Sequence, residues 1–219
     1  MTISICCIDT KNKIEAINAL NKSIENIKFD KYYFFTDDLE DIKVNRFKNL
    51  SSINLEVFFI PKITNKADYS KFCLVDLNKY ISTDFCLTIQ HDGYIINPES
   101  WTDKFLDFDY IGAPWPTSWG YKNRIGNGGF CLKSKKFLEI SYKIFKDFNF
   151  NTGLDRSVYD ISVNEDFLSC NLYHDEMIAN GIKFADIETA SFFSIEHPIL
   201  ETKEKPFGFH GYFTIDRKN

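Results

Sequence analysis

With 219 residues, a hydrophobic share of 44% and 22 phenylalanines, the chain can bury roughly 70–75% of the surface its unfolded form exposes, which suits one domain and excludes disorder. Its net charge of -5 excludes a broad electrostatic grip on nucleic acid or anionic lipid and leaves room only for a local basic groove. No stretch approaches the roughly 18 apolar residues of a membrane span, and "MTISICCIDT" lacks the basic and apolar regions of a signal peptide, so a cytoplasmic location is expected. In chain order, "ISICCID" is an apolar run closed by Asp9 and Thr10. "KNKIEAINALNKSIENI" then repeats Ile14, Ile17, Leu20, Ile24 and Ile27 every three or four residues, the pattern of an amphipathic helix. "KYYFFTDD" and "NLEVFFIPKI" repeat the strand signal. "YSKFCLVDLNKYI" carries Phe72, Val75, Leu77 and Ile81 at roughly helical spacing, and "TDFCLTIQHDG" is a fourth strand.

Strands that alternate with helices and read as nearly unbroken apolar runs imply an α/β fold with a mainly parallel sheet covered on both faces. The second half changes character. "RIGNGGFCLKS" reads as a loop entering a strand, "VNEDFLSCNLYHDEMIANG" as a helix closed by Gly181, and "KFADIETASFFSIE" as one or two further strands. Lys133, Lys135 and Lys136 read as one solvated face. Six cysteines without CxxC spacing read as reduced core residues. No repeat and no Pro-, Gly- or Ser-rich linker marks a second domain.

Ligands of open α/β sheets sit outside the carboxyl ends of the strands, where loops are free to carry chemistry. "IQHDG" has that form: Gln90, His91 and Asp92 leave a buried strand, and Gly93 permits a sharp turn. By spacing alone it reads equally as a turn with a helper aspartate. "RIGNGGF" sets Gly126, Gly128 and Gly129 around Asn127, which lets backbone N–H groups approach a ligand or forms an ordinary bulged hairpin. "VNEDFL" sets Asn164, Glu165 and Asp166 before an apolar-periodic segment, as a helix cap or as a carboxylate poised for general-base work. "KPFGFHGYF" surrounds His210 with glycines and aromatics, and a partner carboxylate, Asp92, would make that histidine a metal ligand.

In this order, "QHDG", "DYIGAPW", "GNGGF.L.S", "NED" and "PFGFHG" resemble a family of glycosyltransferase-like domains and, more broadly, nucleotide-sugar-dependent glycosyltransferases of the GT-A fold, from Tyr69 to Tyr212. The resemblance implies a single GT-A-like domain over 1–219, with a nucleotide-binding half (1–100) and an acceptor and catalytic half (101–219). It implies that Asp92 binds a divalent cation, Mn²⁺ or Mg²⁺, with His210 as second ligand. Gln90 departs from the family's Asp-x-Asp pattern, which implies weaker cation binding. Asp166, or its neighbour Glu165, is implied as the base of an inverting transfer.

The donor, a nucleoside-diphosphate sugar, is expected to meet Asp9, Thr10, Asp37 or Asp38, Gln90, His91, Asn127 and Gly128. The acids among these read equally as ordinary loop residues. Arg124 would neutralise diphosphate or serve as a surface charge, while Trp115, Trp119 and Tyr121 would stack on sugar or fill the core. The acceptor is expected to be a glycan or glycoconjugate, with a nucleic-acid acceptor left open. Two alternatives stand beside this reading: a non-catalytic binding module of the same fold, and a metal-dependent phosphohydrolase suggested by the His91-Asp92 pair.

Overall fold

The apolar runs do what their hydrophobicity requires and stack side by side at the centre of the molecule. The structure is a computed structural model and describes residues 1–25, 27–39, 54–151, 163–201 and 203–211. Tyr212, the last residue of the resemblance, lies outside them.

Strand β1 (Ile3–Ile8) leads into helix α1 (Lys13–Ile24), then β2 (Lys31–Thr36) and β3 (Leu55–Phe59). Helix α2 (Lys66–Lys71) continues through a π turn (Phe72–Asp76) and a 3-10 turn (Leu77–Lys79) into β4 (Phe85–Ile89) and the short β5 (Gly93–Ile95). After β6 (Tyr110–Ile111) and β7 (Phe130–Ser134) come α3 (Lys135–Phe145), the single-turn α4 (Glu165–Phe167), a π turn (Leu168–Leu172) and α5 (His174–Ala179). Helix α6 (Ile187–Phe193), β8 (Ser194–Ile195) and β9 (Gly208–His210) follow.

The main sheet has the order β3-β2-β1-β4-β7-β6. Its first four strands are parallel, with Cys7 beside Phe34 and Ile89, whereas β7 runs antiparallel to β4 and β6 antiparallel to β7. Ser4 to Ile8 and the whole of β4 are buried, as a sheet covered on both faces demands. All six cysteines are free and buried.

A second sheet, β5-β9-β8, positions the site. Gly93 pairs with His210 across antiparallel β5 and β9, so the turn after β4 and the "FHG" stretch are brought together by main-chain bonding. Gly211 N–H adds a bond to the Asp92 carbonyl at 2.9 Å. The sheet is seated by interlocked rings: Phe193 lies 5.2 Å from Phe105 and 5.3 Å from Phe130, and Phe207 lies 6.0 Å from Phe130. Gly208 is needed there, because a Cβ would stand 2.1 Å from the Phe130 ring.

Three expectations are corrected. The stretch read as strands over 183–196 is mainly helix α6, because the Asp186 carboxylate accepts from Thr189 N–H at 2.7 Å and caps it; only Ser194 and Ile195 are strand. Lys133 is not on a solvated face: it lies in β7, 1% exposed, and its ammonium has no hydrogen-bond partner among the described residues. The helix closed by Gly181 is broken by the π turn into two short pieces, although Gly181 does adopt the left-handed φ of 84° that ends it.

Candidate active site

A cavity of about 440 Å³ opens at the carboxyl ends of β1 and β4. Asp9, Thr10, Gln90, His91, Asn127, Gly128, Glu165, Asp166 and His210 all line it. These residues come from the ends of two parallel strands, the loop before β7, the start of α4 and the end of β9, so chain segments distant in sequence converge at one mouth.

His210 lines the cavity and is paired with Asp92, which does not. His210 Nε2 stands 3.3 Å from Asp92 Oδ1 and 3.1 Å from Gln90 Oε1, while its Nδ1 meets Glu196 Oε1 at 3.1 Å. Burial works against the imidazolium, but Asp92 and Glu196 outweigh it and carry the pKa up to about 10. Asp92 in turn is held below the usual carboxylate range: burial opposes its charge, and His210 and His91 overcome that. Its Oδ1 is buried and accepts no well-aligned hydrogen bond from the described residues.

Two neighbouring ligands on an octahedral ion with bonds of about 2.1–2.2 Å stand roughly 3.0–3.1 Å apart. The 3.3 Å separation of Oδ1 and Nε2 is that of a carboxylate–imidazolium ion pair slightly wider than this spacing, and His210 would have to give up its proton before this oxygen-plus-imidazole set, which suits Mn²⁺ or Mg²⁺, could share an ion. Among the described residues no group of three His, Cys, Asp or Glu side chains is arranged to hold an ion unaided.

Asp166 is fixed at the start of α4. Its Oδ2 accepts from Gly128 N–H at 3.0 Å and its Oδ1 from Phe167 N–H at 2.7 Å. Burial first, then the charge of Glu196, raises its pKa above the ordinary value, with the two backbone donors pulling the other way. Beside it Glu165 is buried, and its carboxyl is pushed up to about 7 by burial and by Asp166, against the pull of Lys133.

Other residues have different partners from those the sequence suggested. Asp9 braces its own loop: Oδ1 accepts from the N–H groups of Lys11 and Asn12 at 2.7 and 2.6 Å, and Oδ2 meets His91 Nδ1 at 3.1 Å. Thr10 ties this loop to Ile63, whose N–H donates to Oγ1 at 3.0 Å. Asp37 and Asp38 both hold Lys13 at 2.7 Å, and Asp37 is not in the cavity wall. Arg124 is likewise outside it, donating to the Trp115 carbonyl at 2.9 Å and to Glu201 at 3.1 Å. The glycine-rich loop does not offer its Gly128 and Gly129 N–H groups to a ligand, since Asp166 and Asn127 Oδ1 accept them.

Trp115 is buried, but Trp119 is 41% exposed and heads an aromatic ledge. Its ring lies 5.5 Å from Tyr121 and 4.9 Å from His197, and Tyr121 lies 5.4 Å from Phe167, the neighbour of Asp166. Glu196, Lys11, Asn12 and Lys66 also line the cavity and were not foreseen. Glu196 follows β8 and ends the stretch read as strands, so the rule that singled out Asp92, applied there, reaches it.

Comparison with known proteins comes to three findings. No curated protein matches the chain. The structure of the galactosyltransferase LgtC in complex with donor and acceptor sugar analogs is similar at a TM-score of 0.56 and 13% identity, over 95% of this chain and 87% of the other. Mouse xyloside xylosyltransferase 1, apo form, gives 0.55 and 12% over 98% and 99%. Likeness at this identity speaks for the fold, which is that of the GT-A glycosyltransferases. Residues 52–210 match the family described as "Protein of unknown function (DUF5672)", and the chain belongs to that family.

Proposed function

We propose that this protein is a glycosyltransferase that moves a sugar from a nucleoside-diphosphate sugar to an acceptor hydroxyl. The observation that carries the reading is the convergence, in one cavity of a GT-A fold, of two carboxylates of raised pKa with His210, whose imidazole is paired 3.3 Å away with Asp92 behind the cavity wall. The nucleotide lies against the first half of the chain, where Thr10, Asn12, Lys11 and Lys66 line the wall. Asp92 and, once it has lost its proton, His210 would hold Mn²⁺ or Mg²⁺, and a cation there would supply Lewis-acid stabilisation of the negative charge on the departing diphosphate.

Asp166 takes the proton of the attacking hydroxyl. Its two backbone donors hold the carboxylate in place, and its raised pKa makes it a better base than an exposed aspartate. The acceptor is a glycan or glycoconjugate whose sugar ring rests on the ledge of Trp119 and Tyr121. A phosphohydrolase built on His91-Asp92 is disfavoured, because His91 Nδ1 sits closer to Asp9 (3.1 Å) than to Asp92 (4.0 Å).

The test is incubation of the protein with UDP- and GDP-sugars and Mn²⁺, with and without oligosaccharide acceptors, followed by chromatography of the released nucleotide. Acceptor-dependent release that falls at least about 100-fold in Asp166→Asn is expected. Release of inorganic phosphate, or nucleotide-sugar binding with no turnover under any acceptor, would favour the hydrolase or the non-catalytic module instead.

A further inference from the structure

Lys133 lies in the middle of β7, behind the cavity rather than in its wall, and its buried ammonium has no hydrogen-bond partner among the described residues. Burying an unpaired ammonium is costly, so a negative charge must lie within reach of it. Pairing with antiparallel β4 and β6 sets Cys86 and Tyr110 beside Lys133 on one face of the sheet. Cys131, two residues back on that face, donates through Sγ to the Gly128 carbonyl at 3.4 Å. Gly128 in turn lies against Glu165, where a Cβ would stand 1.6 Å from Oε1. One face of β7 therefore leads from the ammonium to a carboxylate of the cavity.

The groups around Lys133 differ in what they can offer it. Burial pushes up the thiols of Cys6 on β1 and Cys73 on the π turn after α2, and that of Cys131 up to about 11, so none of them is charged near neutral pH. The Tyr110 phenol is pushed up by burial in the same way. Cys86 is the rival partner: burial opposes its thiolate, but hydrogen bonds with Cys6 and Ser4 and the charge of Lys133 outweigh that and lower its pKa. Glu165 is the carboxylate on which Lys133 acts. Burial and Asp166 push its carboxyl up to about 7, while Lys133 and His210 pull the other way, and Tyr69 of α2 faces it as a neutral phenol. Two such neighbours release their protons in two steps, and it is the upper step, near neutrality, that leaves a base matched to its working pH.

We propose that Lys133 is a positioning residue of the transfer: its ammonium, sunk behind the cavity wall, stabilises the doubly ionised form of the Glu165–Asp166 pair and so readies Asp166 to take the proton of the attacking hydroxyl. The role in transfer rests on the glycosyl-transfer reading above; the electrostatic link does not.

The test follows the Glu165 carboxyl carbon by NMR in protein labelled with carboxyl-¹³C glutamate, the signal being assigned by its absence from Glu165→Gln. In wild type the titration midpoint should lie at about 7. Lys133→Met and Lys133→Gln remove the charge, and a neutral residue of similar size in place of a buried ion is commonly tolerated. Both should raise the midpoint by at least about one pH unit, whereas Lys133→Arg, which keeps the charge, should move it by less than about half of that. The acid limb of the kcat/KM profile, measured as acceptor-dependent nucleotide release, should move with the midpoint. A midpoint that stays put in both neutral variants overturns the link and gives the ammonium to Cys86. One that moves while the rate profile does not overturns the role in transfer. Wild type without acceptor-dependent release overturns the glycosyl-transfer reading, whatever the midpoint does. If neither neutral variant melts cooperatively, Lys133 serves the fold and the assignment fails as well.

Discussion

Glu165 is buried at the start of α4, and its carboxyl, ordinarily near 4.5, is pushed up to about 7 by burial first and by Asp166 second. Between those two values the folded protein keeps a proton that the unfolded chain has released, so stability falls as pH rises through this window and levels off above it. Glu165→Gln removes the dependence. The variant should match wild type near pH 4.5 and exceed it at pH 8 by up to about 3 kcal/mol, read from urea midpoints; a gap that does not change with pH would refute this. At this scale the sequence was informative about identity and silent about state. Asp92, Asp166 and His210 could be singled out from strand ends, a helix start and a glycine-flanked histidine, because residue type and local punctuation are written in the chain. That Asp9 would brace a loop, that Arg124 would turn to Glu201, and that Lys133 would be buried depended on neighbours far away in sequence.

Helix α6 shows how an element can be misread. Its core-facing Ala190 and Phe193 stand three residues apart, but buried Ser191 and exposed Phe192 lie between them, so this seven-residue stretch fixes no helical period and also suits a strand. The Asp186 cap breaks the tie by satisfying Thr189 N–H and bonding Thr189 Oγ1 at 3.1 Å. Asp186→Ala should therefore cost about 1 kcal/mol of stability with little change in nucleotide binding. Equilibrium denaturation checks it, and a cost indistinguishable from zero would show that tertiary packing alone holds α6. The strands β1, β2 and β4 were legible because burial on both faces leaves long apolar runs, whereas β8 and β9, two and three residues long, leave no such signature. Helix α3 escaped notice behind its lysines, although Ser134 Oγ accepts from Phe137 N–H at 3.0 Å as its cap.

Across the whole molecule, the small β5-β9-β8 sheet closes the site by carrying His210 back to the end of β4. A chain ending at Lys205 would lose β9, leave β5 and β8 without their shared partner, and remove Phe207 and Phe209, both 0% exposed. Deleting a buried phenylalanine costs about 3–5 kcal/mol, so losing both rivals a typical total stability of 5–15 kcal/mol. The truncated protein should show no cooperative thermal transition; a sharp melt would mean that the main sheet stands without this closure. Among the described residues no helix is long and apolar enough to cross a membrane. The amino-acid sequence by itself determined the parallel β1-to-β4 half and the types of residue at its carboxyl ends, since hydrophobic period and strand punctuation are local properties. Tertiary structure alone decided the 3.3 Å approach of Asp92 and His210, the raised carboxyl of Glu165 and the burial of Lys133. Those depend on distance and desolvation between segments far apart in the chain, which no local pattern encodes.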